Sequence, residues 1–200
     1  VRAIHPVPAD FVGAQIDAVF EDLDVAAVKI GMLATAELIE TVADGLERHG
    51  ARNIVLDPVM IAASGGRLLQ EDAIEALPEA AALLGTAMAQ TEEAAAEQGS
   101  AIAALGAANV LVKGGHASGA DSVDVLVSQG GQRQRFVAPR IETLNTHGTG
   151  CTLSSAIASG LAHGIALDEA VSLAKRYISA AITASDAVRV GHGHGPVHHF

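Results

Sequence analysis

The sequence predicts an α/β fold: a mostly parallel central sheet with helices on both faces, joined by an antiparallel hairpin. Three observations lead there. Short continuous apolar runs, the pattern of strands covered on both sides, alternate with segments of helical periodicity. The residues with chemistry in them gather at the carboxyl ends of those runs, where open α/β sheets bind ligands. Two alternating segments flank Gly130-Gly131, a hairpin turn signal.

The elements follow in order. Val12, Ile16, Val19, Phe20 and Leu23 recur at helical spacing, so Ala9 to Leu23 reads as a helix. Ala26 to Met32 is a buried strand. Leu38, Ile39, Val42 and Leu46 mark a second helix ending near Gly50. Asn53 to Asp57 is a second buried strand stopped by Pro58, and a loop with Ser64-Gly65-Gly66 follows. Helical pieces cover Gln70 to Leu77 and Pro78 to Leu84, and an alanine-rich helix runs from about Thr91 to Leu105. Asn109 to Lys113 is a strand ending at Gly114-Gly115. Ser122 to Val127 and Arg133 to Val137 form the hairpin. Two last helices carry Leu153, Ile157 and Leu161, then Val171, Ala174, Ile178, Ala181 and Ile182. The strand–helix rhythm breaks between Leu77 and Glu79, where a strand is expected.

Two hundred residues fit a single domain spanning 1–200. Half are hydrophobic but only 2% aromatic, so the core is built of Ala, Val, Leu and Ile. The formal charge of −11, from 12 Lys+Arg against 23 Asp+Glu, argues against nucleic acid or an anionic membrane surface as partner. An anionic substrate then needs local N–H groups, a lysine and a metal ion to offset the field. The one cysteine excludes an internal disulfide and fits a reducing cytosol, so a cytoplasmic location is expected. No apolar run approaches the roughly 18 residues of a membrane span. The first residues carry no signal-peptide core and begin without Met, so the sequence is expected to start inside a longer chain.

The most informative stretch is Asn145 to Cys151, N-T-H-G-T-G-C, running into an apolar-periodic helix. Gly148 and Gly150 allow a tight turn with consecutive N–H groups exposed, and the helix adds its positive end, which together make an anion site. Cys151 in the first turn is where a thiolate is stabilised. A small buried thiol and a plain glycine-rich cap remain the ordinary alternatives. Lys113 beside two glycines reads as a cation on phosphates or as a snorkelling edge lysine. Asp57 before Pro58 reads as a carboxylate near Mg²⁺, through water, or as a turn residue. The tail histidines His192, His194, His198 and His199 have zinc-like spacing but no Cys or acidic companion; a glycine-hinged segment near the site's mouth fits them better.

The motifs K-I-G-M-L at Lys29 to Leu33, L-D-P-V-M at Leu56 to Met60, S-G-G-R-L-L at Ser64 to Leu69, P-E-A-A-A-L-L at Pro78 to Leu84, V-K-G-G-H at Val112 to His116, N-T-H-G-T-G-C-T-L-S at Asn145 to Ser154 and G-P-V-H-H-F at Gly195 to Phe200 occur in one order along the whole chain. With them the chain resembles the hydroxymethylpyrimidine/phosphomethylpyrimidine kinases of thiamine biosynthesis, in the ribokinase superfamily. The resemblance implies a ribokinase-like three-layer α/β/α sandwich. It also implies ATP- and Mg²⁺-dependent phosphorylation of 4-amino-5-hydroxymethyl-2-methylpyrimidine and then of its monophosphate. Cys151 would be the base that takes the substrate hydroxyl proton. Gly148, Thr149 and Gly150 would hold the transferring phosphoryl group, while Lys113, Gly114, Asp57 and Thr146 would serve the ATP phosphates. Gly31, Met32 and Val59 would contact the pyrimidine, and Glu79 with water-linked Asp57 would support the metal. His116 would shape the site, and a homodimer is implied.

Departures exist. Family members open with a strand and glycine-rich loop, continue with a glutamine that pairs with the pyrimidine, and carry a strand ending in T-P-N near Leu77-Pro78. None is present, and Ala63 replaces a common lysine. Residues are therefore expected to be absent from the sequence before Val1 and near 77–79. Pyridoxal/pyridoxine kinase activity and a non-catalytic ligand-binding relative are the alternatives.

Overall fold

The computed structural model describes residues 5–58, 89, 91–114, 119–187 and 191–199. The elements along the chain are α1 (Ala9–Asp22), β1 (Val28–Ile30), α2 (Ala36–Arg48), β2 (Ile54–Leu56), α3 (Glu92–Ala104), β3 (Asn109–Val112), β4 (Asp121–Ser128), β5 (Arg133–Pro139), α4 (Thr149–Ala162), α5 (Leu167–Thr183) and a 3₁₀ turn (Ser185–Ala187). The chain divides into two compact units, Val1–Leu77 with Asn145–Phe200, and Pro78–Leu144. Each expected element among the described residues is present. The helical pieces expected over 70–84, and the break at 77–79, lie outside them.

In the first unit β1 and β2 pair in parallel, with Val28 opposite Ile54 and Ile30 opposite Leu56. The connection through α2 makes a β-α-β unit. Thr35 caps α2 by accepting the Leu38 N–H at 3.2 Å, with Glu37 in the first turn and Arg48 in the last, each on the favourable end of the helix dipole. The strands are short, and β2 is not the buried strand its apolar run predicts. Ile54 is 47% and Leu56 39% exposed. Side chains alternate across a strand, so these two share one face and Val55 takes the other; only the Val55 side is the better covered.

α4 packs on both strands and on α5. Leu153, Ile157 and Ala158 are buried on α4, and Ala170, Val171, Ala174, Ile178 and Ala181 on α5. Small side chains bring the two helices close: a Cβ on Gly160 would stand 2.9 Å from the Ala170 Cβ. Each fully buried Leu or Ile contributes about 1.5–3 kcal/mol, which in a chain nearly without aromatics must come from many such residues.

α1 and α2 are joined by a polar cluster. His49 Nε2 lies 2.7 Å from Asp17 Oδ1, Arg48 Nη2 lies 3.0 Å from the same oxygen, and the His49 ring stacks on Phe20. The hydrogen bond from His49 holds the Asp17 carboxyl below the usual carboxylate range; desolvation opposes it and the Arg48 charge adds to it. A carboxylate lowered on folding stabilises above its unfolded pKa, and that contribution disappears as pH falls through the folded value. Asp17→Asn is therefore expected to flatten the acid limb of a melting-temperature profile below about pH 4. An unchanged limb would remove Asp17 as a contributor.

In the second unit β3, β4 and β5 form an antiparallel sheet, so the antiparallel part extends beyond the expected hairpin to include Asn109–Val112. Gly131, with φ +78°, makes the hairpin turn that Gly130-Gly131 predicts. α3 is capped by Thr91, which accepts the Ala94 N–H at 3.2 Å. It lies on β3 and β4 through Ala95 and Ala96 against Val125 and Val127, the last fully buried. Glu92 pairs with Arg135, and Glu93 with Arg133 at 2.9 Å, tying α3 to β5.

Candidate active site

The bend before α4 is made by one backbone choice. Gly148 takes the N-cap position with φ +87° and ψ 0°, a left-handed conformation open to glycine and strained for other L residues. Its carbonyl accepts the Thr152 N–H at 2.9 Å, and the Thr149 N–H reaches the Thr146 carbonyl at 3.4 Å. No hydrogen bond among the described residues uses the N–H groups of Gly150 and Cys151. These two amides stand at the positive end of a 14-residue helix, where negative charge is favoured, whereas the Thr149 amide of the expected Gly148-Thr149-Gly150 trio is turned to the Thr146 carbonyl.

The loop is fastened on both sides. The Asn145 amide donates to the Ser185 carbonyl at 3.0 Å and to Asp186 Oδ1 at 3.3 Å. The C-terminal segment runs alongside, with the His147 N–H on the Gly195 carbonyl at 3.0 Å and the Val197 N–H on the His147 carbonyl at 3.4 Å. A Cβ on Gly195 would fall 1.9 Å from Asn145 Oδ1, so any other residue there would displace the Asn145 amide. The His198 N–H binds the Ala181 carbonyl at 3.0 Å, and Val197 is buried. Gly195, Val197 and His198 strap the tail to the loop and to α5, and residues 191–194 before them are exposed.

Cys151 is exposed. It lines an open recess of about 470 Å³ with Gly148, Thr152, Ser155, Ala156, Tyr177 and His199. Tyr177 Oη lies 3.2 Å from His199 Nδ1 and the two rings stack. A solvent-facing sulfur beside a cavity is the arrangement a proton acceptor needs, and it sets aside the reading of a buried thiol.

Asp57, just past β2, is 9% exposed and reaches the same helix. Ser154 Oγ lies 3.2 Å from Asp57 Oδ2, and Lys29 Nζ on β1 lies 4.0 Å from that oxygen. Gly31 follows β1 and Met32 is 41% exposed. Thr146 is exposed and serves the bend through its carbonyl. Gly148, Thr149, Gly150, Cys151 and Asp57 thus gather around the start of α4, within one unit. Val59, Glu79 and His116 lie outside the described residues.

Lys113 and Gly114 belong to the other unit. Lys113 is exposed at the end of β3. The Gly114 N–H donates to Asp124 Oδ1 at 2.9 Å, and its carbonyl accepts from Arg140 at 3.2 Å. Arg140 also binds the Gly119 carbonyl at 2.9 Å and the Asp121 carbonyl at 3.0 Å. A Cβ on Gly114 would stand 2.0 Å from the Val123 carbonyl oxygen, which is backbone and cannot yield cheaply. Gly114→Ala is expected to cost about 1–3 kcal/mol in urea unfolding; a cost near zero would contradict the close approach.

Three residues were given no role from the sequence, Lys29, Ser154 and Tyr177, while His199, expected near the site's mouth, does line the recess. A lysine between Val28 and Ile30 in a strand is itself a signal, because a covered cation needs a partner.

A family model described as phosphomethylpyrimidine kinase matches residues 1–198. A hydroxymethylpyrimidine/phosphomethylpyrimidine kinase of Rhizobium meliloti is 52% identical over 215 aligned positions, covering 100% of this chain and 80% of the relative. Since this chain has 200 residues, the relative carries internal residues with no counterpart here. Among solved structures, a Bacillus subtilis pyridoxal kinase in complex with ADP is similar with a TM-score of 0.88 and 31% identity, over 98% of this chain and 79% of that one. A phosphomethylpyrimidine kinase of Clostridium difficile gives 0.74 and 36%, over 90% and 79%.

Proposed function

The chain belongs to the phosphomethylpyrimidine kinase family, and on that premise we propose that it phosphorylates 4-amino-5-hydroxymethyl-2-methylpyrimidine and then the monophosphate, with ATP as donor. The observation that carries the reading is the start of α4: two amides uncommitted among the described residues, at a helix N-terminus beside an exposed cysteine in an open recess.

In the first step the hydroxymethyl oxygen attacks the γ-phosphorus. An O–P bond forms, the bond from the γ-phosphorus to its bridging oxygen breaks, and that electron pair leaves on ADP. The alcohol proton passes to the Cys151 sulfur. Because phosphoryl transfer is loose, positioning and charge compensation dominate. The Gly150 and Cys151 amides receive the equatorial oxygens. In the second step a phosphate oxygen of the monophosphate attacks the next γ-phosphorus.

Mg²⁺ suits the donors. It binds through one or two carboxylates together with phosphates and water, not through an all-protein cage. Among the described residues no cluster of three His, Cys, Asp or Glu exists to form such a cage, whereas Asp57 offers a covered carboxylate. When bound, the ion neutralises phosphate charge; Asp57 would hold it through water and Glu79 would support it. The Tyr177–His199 pair walls the recess beside Cys151. We place the enzyme in the cytoplasm as a homodimer, with residues 1–200 belonging to one kinase domain, on family likeness and on the lone cysteine; light scattering tests the dimer.

Pyridoxal phosphorylation is the second reading. The higher TM-score to the pyridoxal kinase favours it, and the higher sequence identity to the R. meliloti relative opposes it. One coupled assay decides: ADP production from ATP with hydroxymethylpyrimidine, its phosphate or pyridoxal. The expected result is turnover with the first two exceeding that with pyridoxal. Turnover with pyridoxal alone overturns the primary reading, and turnover with none leaves a non-catalytic binder.

A further inference from the structure

We propose that Lys29 and Ser154 are positioning residues for phosphoryl transfer, acting together through Asp57 to fix the first turn of α4; the inference rests on the kinase reading above. Ser154 is 7% and Asp57 9% exposed. The Ser154 hydroxyl has one proton and three acceptors in reach: Asp57 Oδ2 at 3.2 Å, the Gly150 carbonyl at 3.0 Å and the Cys151 carbonyl at 3.1 Å. Given to Asp57, the proton ties α4 to the end of β2. Given to Gly150, it acts on the site directly. The Gly150 carbonyl and the Cys151 N–H are two ends of one planar peptide unit, so a hydrogen bond at the carbonyl end sets the direction of the amide aimed at the phosphoryl oxygens.

Asp57 is fixed in turn. Its N–H donates to the Ile30 carbonyl at 2.9 Å, extending the β1–β2 ladder by one bond. A covered carboxylate needs charge compensation as well as a hydrogen bond, and the Lys29 ammonium, 4.0 Å from Oδ2, supplies it. Gly31 makes room for that ammonium: a Cβ there would stand 2.8 Å from Lys29 Nζ. The same glycine that the family pattern assigns to substrate therefore also keeps the lysine in place. β1, the end of β2 and the second turn of α4 converge on one oxygen atom, and the Ser154 hydroxyl carries the link back to the first turn.

Steady-state kinetics of Lys29→Met, Ser154→Ala and the double variant, with hydroxymethylpyrimidine and ATP, test the proposal. Each single change is expected to lower kcat about tenfold, since small misplacements of a site are costly, with KM for both substrates within about threefold. The double variant should be no worse than about the poorer single one, because residues in one network are not additive. Lys29→Arg should recover most of kcat. Full kcat in either single variant, or an additive loss of about a hundredfold in the double, overturns it. Amide hydrogen exchange at Thr152, whose N–H binds Gly148, gives a readout independent of activity. It should speed up at least about tenfold in Ser154→Ala and in Lys29→Met, and unchanged exchange overturns the proposal whether or not either variant is active. A wild-type enzyme that phosphorylates nothing sinks the kinase reading; the exchange result then judges the network alone.

Discussion

Cys151→Ala is expected to slow phosphorylation of the hydroxymethyl substrate by about 10²–10⁴-fold, the usual contribution of a general base, while slowing phosphorylation of the monophosphate far less. The two acceptors differ in what they ask of the sulfur. An alcohol must lose a proton as its oxygen attacks. A phosphate monoester, with a second pKa near 6, is already a dianion at neutral pH and has no proton to give. The bend and its amides are needed in both steps; the sulfur is needed in one. Cys151 is solvent-facing and lines the recess, so its removal should leave the fold intact. Nucleotide affinity, read by calorimetry, should stay within about threefold, because the base acts on the acceptor and not on ATP. Equal losses with both acceptors would show that the sulfur serves the phosphoryl group and not the alcohol. No loss with either would remove it from the mechanism.

Gly148→Val is the second large effect, expected to reduce both steps by about 10²–10³-fold, the range for loss of an oxyanion-type donor. Space is not the obstacle, since nothing lies within 4 Å of a Cβ at this position. The obstacle is the φ of +87°, which a β-branched residue reaches only at a cost of about 1–3 kcal/mol. The chain relieves that strain by rotating the bend, and the Gly150 and Cys151 amides rotate with it. Gly148→Asn is the control, because asparagine tolerates left-handed backbone with a short polar side chain; it should keep most of the activity. If valine and asparagine behave alike and both stay active, the backbone conformation at Gly148 is not what aims the amides.

The contrast between these variants explains why this site was partly legible in the sequence. The N-T-H-G-T-G-C run announces its own geometry, since the glycine conformation, the exposed amides and the first-turn cysteine are all local consequences of seven consecutive residues. The helices were equally readable from periodicity, and Thr35 and Thr91 fall at the N-caps where helix starts are expected. The hairpin was marked by its glycines. What periodicity could not give was pairing. Asn109–Val112 has the apolar run of a covered strand, yet lies antiparallel to Asp121–Ser128, because run length and composition do not encode direction. Ile54 and Leu56 were read as buried because an apolar run does not show which of its two faces is covered.

The supporting residues were hidden by distance along the chain. Ser154 and Asp57 are 97 positions apart, and nothing local in either marks the other as its partner. Lys29 sits in a motif whose family pattern draws attention to the glycine beside it. His199 reaches Tyr177 only because backbone bonds from Gly195 to His198 lay the tail along the active-site loop and α5. Such contacts follow from the fold as a whole, so they become visible only once α4 stands against both parallel strands. Asp57 illustrates the point: its place before Pro58 suggested a metal carboxylate, and the structure adds that one of its oxygens is already engaged by a hydroxyl and an ammonium.

The most direct test of the account uses the fact that Cys151 is the only cysteine in the chain. Alkylation by iodoacetamide, followed by mass spectrometry of the intact protein, reports on that one sulfur. The account predicts ready modification of the free enzyme. It predicts strong protection when hydroxymethylpyrimidine is bound together with MgADP and aluminium fluoride, a mimic of the phosphoryl group in flight, since acceptor and mimic would then meet at the bend beside the sulfur. An alkylation rate unchanged by that mixture, in an enzyme shown by calorimetry to have bound it, would place the transfer elsewhere and contradict the account.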